Sequence, residues 1–214
     1  MHLISLTFNP FGENTYLLIG SNKQAVVIDP GMSSAVEEAK LLSTLKQYSA
    51  ELTAVWLTHS HIDHVIGLSF VLKHFPNVKY IHAEQDRTTL KANEVVAPLY
   101  GFHAYTSPSI DREVVAEEGY NLTLGDQSVS ILEVSGHSQG HLVFYIPELS
   151  IAIVGDTLFQ GSVGRWDLPG GNQKQLFDNI RQKLLTLPHN TQIYPGHGPS
   201  TTIGQELMSN PFFR

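Results

Sequence analysis

The sequence predicts a mixed α/β domain with two β-sheets in the interior and helices outside. Three observations predict it. The chain has 214 residues, 42% of them apolar and 15% charged, which supports one large domain with a real core and excludes wholesale disorder. Its middle alternates compact apolar runs with stretches of helical spacing. Beyond residue 120 short strand-like runs return at close intervals.

In chain order, Leu3–Phe8 reads as a strand, followed by a turn-like stretch, Asn9-Pro10-Phe11-Gly12-Glu13-Asn14. Thr15–Ile19 and Ala25–Ile28 are β-branched and aromatic runs across a Gly20-Ser21-Asn22 turn, and Asp29-Pro30-Gly31 ends the second. Ser33 or Ser34 caps a helix over Ala35–Tyr48, with Glu37 and Glu38 in its first turns. Leu52–Leu57 is an apolar strand, Val65–Phe75 a helix stopped by Pro76, Lys79–His82 a strand and Ala83–Ala92 a helix. Residues 94–118 show no period, and so long an irregular stretch inside a domain reads as a lid or binding loop, with Tyr100, Phe102 and Tyr105 lining part of a pocket. Strands follow at Asn121–Leu124, Val129–Val134, Leu142–Ile146 and Ser150–Val154, then a helix over Gln173–Leu185, a strand at Gln192–Tyr194 and a short helix after Thr202. The order suggests two similar halves within one domain spanning residues 1–214.

Composition removes several function classes. Lys plus Arg number 13 against 20 Asp plus Glu, a net charge of −7, which disfavours nucleic acid and anionic membranes as partners. The absence of cysteine excludes disulfides, thiolate metal sites, iron–sulfur clusters and a Cys nucleophile. No basic leader and no apolar run of about 20 residues is visible, so a soluble, cytoplasmic protein is expected. Eleven histidines are a heavy load of imidazole, the commonest metal ligand.

Three of them fall in Thr58-His59-Ser60-His61-Ile62-Asp63-His64, directly after the strand ending at Leu57. At this composition such an H-x-H-x-D-H pattern arises by chance about 0.001 times per chain. Alternate residues at a strand end share a face, so His59 and His61 point the same way. A helix beginning near Asp63 makes Asp63 and His64 diverge, so one loop feeds two neighbouring ions. Two histidines do not close a catalytic site, so further ligands are expected downstream. Three candidates follow predicted strands: His137 in Gly136-His137, Asp156 in Gly155-Asp156, and His197 in Gly196-His197-Gly198. Nitrogen and oxygen ligands suit Zn²⁺, Fe²⁺ or Mn²⁺. Two such ions with two carboxylates and a bridging hydroxide leave a positive centre, suited to anionic or carbonyl substrates.

This set of motifs, in this order, resembles the metallo-β-lactamase superfamily, and Val27-Ile28-Asp29-Pro30-Gly31 extends the resemblance over nearly the whole chain. The resemblance implies a four-layer αββα sandwich with two divalent metal ions at one edge of the sheets, zinc first and iron or manganese as alternatives. By position, His59, His61 and His137 would take one metal, Asp63, His64 and His197 the second, and Asp156 would bridge them. Asp63 and Asp156 would be the catalytic carboxylates. Asp29 would orient a ligand imidazole from behind. His141, close after His137, reads as structural.

Within the superfamily, Asp at the bridging position is similar to the glyoxalase II and lactonase branches; true β-lactamases usually carry Cys or Ser there. His61 stands where flavodiiron proteins have Glu. Gly155-Asp156-Thr157-Leu158-Phe159 with Gly164-Arg165 resembles glyoxalase II, which implies that Arg165 binds a substrate carboxylate. The ending resembles short bacterial glyoxalase II-like hydrolases. Two departures point away from tight glutathione binding: 17 residues follow His197, where full-length glyoxalase II has a helical segment, and Asp167 stands where that enzyme usually has Tyr. The resemblance therefore implies a hydrolase of a small-molecule thioester such as S-lactoylglutathione. Lactonase and mononuclear-iron persulfide dioxygenase are the alternatives. Acidity argues against an RNA-processing nuclease, and the intact ligand set argues against a decayed, non-enzymatic binding module.

Overall fold

The computed structural model describes residues 1–103 and 105–214. Its first half is a six-stranded sheet in the order β1 to β6: β1 (His2–Phe8), β2 (Glu13–Ile19), β3 (Gln24–Ile28), β4 (Glu51–Trp56), β5 (Lys79–His82) and β6 (Glu113–Val115). β1, β2 and β3 pair antiparallel, while β3 to β6 run parallel. Parallel neighbours need crossovers. These are α1 (Ala35–Gln47), the pair α2 (Ile62–Val65) and α3 (Leu68–His74), and α4 (Arg87–Leu99). The second half is a sheet ordered β14-β13-β10-β9-β8-β7. It comprises β7 (Asn121–Leu124), β8 (Gln127–Glu133), β9 (Leu142–Ile146), β10 (Ile151–Gly155), β13 (Gln192–Pro195) and β14 (Thr201–Thr202). The hairpin of β11 (Leu158–Phe159) and β12 (Ser162–Val163) interrupts it, and α5 (Gln173–Asn179) and α6 (Ile203–Ser209) flank it.

Side-chain alternation along the strands builds the layers. Leu17, Ile19 and Val27 pack with Leu41, Leu45, Val71 and Leu90 from the helices over the first sheet. Tyr16, Leu18, Val26, Ile28 and Trp56 point the other way, against Val129, Ile131, Phe144 and Ile153 of the second sheet. Val143, Ala152 and Val154 meet Leu176, Ile180 and Ile203 on the outer face. The result is helix, sheet, sheet, helix, the αββα sandwich the sequence predicts. No described helix is long and apolar enough to cross a membrane.

Local chemistry sets several boundaries. Ser34 caps α1 through Glu37 N–H, and the Glu37 carboxylate accepts the Ser33 and Asn9 N–H groups, each at 2.7 Å. The helix expected at Val65–Phe75 starts earlier and breaks at Gly67. There the N–H leaves the helix to bond Pro30 O at 2.8 Å, and a Cβ would collide with that carbonyl and with Met32. The helix expected over Gln173–Leu185 widens to a π turn at Ile180–Leu184. The largest correction concerns residues 94–118. Leu90, Asn93 and Ala97 continue one buried helical stripe, so α4 runs on to Leu99, and Glu113–Val115 forms a strand beside β5. Between them lies a 3-10 turn at Ile110–Arg112, and Ala104 lies outside the described residues.

Candidate metal centre

Every metal-ligand candidate read from the sequence lies at one rim of the sandwich. His59 and His61 follow β4, and α2 begins at Ile62, so Asp63 and His64 sit in its single turn. His137 lies between β8 and β9, Asp156 follows β10, and His197 follows β13. A backbone bridge from Glu13 to His197 and the 2.7 Å bond from Asn14 N–H to Gly196 O tie the two sheets together there. Glycines admit the close approach. A Cβ on Gly196 would strike Asp156 Oδ1, and one on Gly164 would strike the Asp156 carbonyl.

Two triads result: His59, His61 and His137, and Asp63, His64 and His197, each with its ligand atoms within 4.8 Å of one another. His61 Nδ1 is 2.9 Å and His59 Nε2 3.3 Å from His137 Nε2. Tetrahedral ligands around zinc sit about 3.3 Å apart at ordinary Zn–N lengths. Asp156 lies between the triads: Oδ1 is 3.5 Å from His64 Nε2, and Oδ2 is 3.6 Å from both His137 Nε2 and His197 Nε2. His197 Nε2 also meets Asp63 Oδ2 at 3.1 Å. His64 Nε2 and Asp156 Oδ1 are buried with no hydrogen-bond partner among the described residues, a cost that a bound cation relieves. The donor set therefore fits divalent metal.

Contacts on the far side of His59, His64 and His137 fix the tautomers of these three rings. Asp29 Oδ2 accepts His64 Nδ1–H at 3.0 Å and the Thr58 hydroxyl at 2.5 Å, while Oδ1 accepts Thr58 N–H at 2.7 Å. Thr58 Oγ1 in turn lies 3.1 Å from His59 Nδ1. His137 Nδ1–H donates to the Arg165 carbonyl at 2.8 Å. Each Nε2 lone pair is thus aimed at the centre, whereas His61 presents Nδ1. Asp29 also groups with His59 and His64, but its oxygens are committed to Thr58 and His64, so it orients rather than binds.

Electrostatics divide the histidines. Burial, reinforced by neighbouring imidazoles, holds His59 well below the usual range and His61 down to about 4; burial also lowers His137. Burial opposes charge on His64 too, but Asp63 and Asp156 outweigh it and push that ring well up. Asp156 is buried, yet His64, His137 and His197 hold it far below the carboxylate range.

Three contributors escaped the sequence reading. Glu13 is fully buried, and burial drives its carboxyl well up. Its Oε2 lies 2.9 Å from the Thr15 hydroxyl, which also reaches the Asp29 carbonyl at 2.7 Å. Thr58 links Asp29 to His59, and the Arg165 carbonyl holds His137. Only the spacing of Thr58, one residue before the cluster, offered a signal. His141 is structural, as expected: it stacks on His59 at 4.8 Å and its Nε2 accepts the Asp156 N–H at 3.1 Å. The Arg165 guanidinium, expected to meet substrate, lines the cavity over the centre but is exposed and paired with Asp167 at 2.8 Å.

Against known proteins, the sequence profile of the metallo-β-lactamase superfamily matches residues 8–197. The hydroxyacylglutathione hydrolase GloC of Haemophilus influenzae is 34% identical over 216 residues, covering 99% of this chain and 98% of that protein. Two crystal structures superpose closely. One is the B3 metallo-β-lactamase BLEG-1, with a TM-score of 0.87, 33% identity and 99% of both chains covered. The other is TTHA1623 in a di-iron-bound form, with a TM-score of 0.85, 35% identity and coverage of 99% and 100%.

Proposed function

The chain belongs to the metallo-β-lactamase superfamily, and on that premise we propose that its metal centre hydrolyses thioesters in the manner of glyoxalase II, with S-lactoylglutathione as the leading candidate. It is a metal-dependent hydrolase by family and by its His/Asp cluster; the thioester is the finer reading. The likeness to a hydroxyacylglutathione hydrolase supports the thioester, and one observation carries the two-ion hydrolytic centre: the buried Asp156 carboxylate, 3.5–3.6 Å from ring nitrogens of both triads. That position suits a two-ion hydrolytic centre better than the mononuclear iron of a persulfide dioxygenase.

His59, His61 and His137 would hold one ion and Asp63, His64 and His197 the other, with Asp156 placed between the two groups. Divalent ions in such a set supply a water deprotonated near neutral pH and a Lewis acid for the carbonyl oxygen. The protein supplies the rest. Asp29, Thr58 and the Arg165 carbonyl keep the imidazoles in the ligating tautomer. Asp63 and Asp156 line the cavity beside His61, His137 and His197 and would offer carboxylate acceptors to a water held there. A thiolate is a good leaving group, so no protein acid is needed. Arg165, at the rim, meets a substrate carboxylate when it parts from Asp167. Zinc is the first choice of metal, and the di-iron form of the similar TTHA1623 keeps iron in view.

The test is S-lactoylglutathione hydrolysis by protein reconstituted separately with zinc, iron and manganese. The reading expects kcat/KM of about 10⁴ M⁻¹s⁻¹ or above with at least one metal. No turnover with two metals bound per chain overturns it.

A further inference from the structure

The cavity over the metal centre, about 850 Å³ in volume, has a wall whose chemistry the proposed reaction does not use. One side is a stripe along α4: Thr89, Ala92, Val96 and Leu99, continued by Tyr100. Residues spaced by three and four lie on one helix face. That face carries no charge and borders the face packed on the core, Leu90 and Ala97, with buried Asn93 between them also reaching the cavity. The charged residues of the helix, Arg87, Lys91 and Glu94, turn to a different cavity on its other side. Leu99 is 79% exposed and Tyr100 55% exposed, and Tyr100 meets Phe11 edge-on at 5.4 Å across the mouth. Leu168 and Pro169 continue the apolar lining.

Charge is as informative. Apart from the histidines, the cavity lining holds one cation, Arg165, and Asp167 pairs with it. The α4 wall offers no charge to the two carboxylates and the ammonium of a glutathione moiety, which leaves Arg165 as the cation that meets one carboxylate. An apolar channel running from the metal ligands to the surface fits a flexible hydrocarbon chain whose polar end reaches the centre.

We propose that the α4 stripe is an acyl-chain channel: besides the short hydroxyacyl group of the leading candidate, this centre takes thioesters that carry an unbranched aliphatic acyl group. The inference rests on the hydrolase reading of the centre only for the reaction, not for the binding of the chain. The reaction class supplying such a substrate is acyl transfer to a thiol; water adds to the carbonyl, the C–S bond breaks, and the products are a medium-chain carboxylate and the free thiol.

The experiment separates the two claims. Binding of acetate and of octanoate to the zinc-loaded protein is measured by calorimetry. The channel predicts octanoate tighter by tenfold or more, because the carboxylates are alike and only the chain differs. Val96→Asp, and Leu99→Asp at an exposed position where folding is safe, bring the ratio toward one. Equal binding of the two acids, or a ratio unchanged in both variants, overturns the channel. In parallel, acetyl- and octanoylglutathione are offered as substrates. Faster octanoyl hydrolysis supports the proposal. Hydrolysis of neither, with octanoate still preferred in binding, overturns the thioester reading and leaves the channel standing.

Discussion

Asp29→Asn is the sharpest perturbation of the centre short of its ligands. Asp29 adopts a left-handed backbone, φ +51°, which Asn tolerates and Ala does not. Its carboxylate accepts three hydrogen bonds, from Thr58 N–H at 2.7 Å, Thr58 Oγ1 at 2.5 Å and His64 Nδ1 at 3.0 Å. Asn keeps one acceptor. With that oxygen on Thr58 N–H, its NH₂ faces two donors. His64 then escapes the clash by moving its proton to Nε2, into the space between Asp63 and Asp156 where a cation belongs. Losses of this kind typically lower metal affinity 10–100-fold, or about 1.4–2.7 kcal/mol. Competition against a chromophoric zinc chelator at pH 7 reads the affinity, and urea unfolding of the metal-free protein reads stability. We expect the weaker binding to fall mainly on the equivalent held by His64. Two equivalents bound by the variant with wild-type affinity would refute the assignment of Asp29 as the residue that sets the His64 tautomer.

Three further outcomes follow from the same geometry. Asp156→Ala, which removes the carboxylate between the triads, should lose most bound metal and lower turnover by about a hundredfold or more; full activity with both metals retained contradicts the two-ion centre. Zinc binding near pH 7 should release at least one proton, because Asp63 and Asp156 keep His64 protonated in the metal-free state while burial keeps His59 and His61 neutral. Calorimetry in buffers of different ionisation enthalpy counts it, and zero release contradicts the assignment. Asp86, buried behind Ser60, has its carboxyl pushed up to about 6 by burial. Between pH ~4 and ~6 the unfolded chain has lost this proton and the folded protein keeps it, so stability falls as pH rises through about 6, by about 3 kcal/mol in full. Asp86→Asn should therefore gain stability relative to wild type between pH 4 and 7 in urea unfolding of the metal-free protein, and a pH-independent difference would contradict it.

The two sheets were legible because their strands obey the period of two: Tyr16, Leu18 and Ile28 face one way and Leu17, Ile19 and Val27 the other. The metal-site residues were legible because coordination chemistry demands His and Asp at strand ends, and few other tasks do. Less legible was what depends on position in space alone. β6 has three residues and gains its place only by pairing with β5. The end of α4 was hidden because polar Asn93 interrupts its buried stripe between Leu90 and Ala97 and because Pro98, inside the helix, reads as a stop. Glu13 reads as a polar residue after a turn, yet it is sealed under Gly31, where a Cβ would overlap its carboxylate. The Arg165 side chain drew attention as a cation, while its carbonyl makes the contact that orients His137. Backbone groups leave no trace in residue type.

The central claim is a two-ion hydrolytic centre with Asp156 shared between the triads. The most direct measurement titrates metal-free protein with zinc and follows S-lactoylglutathione hydrolysis against bound zinc per chain. The account predicts turnover that rises to a plateau at two equivalents. A plateau reached at one equivalent, or no turnover at two, would contradict it.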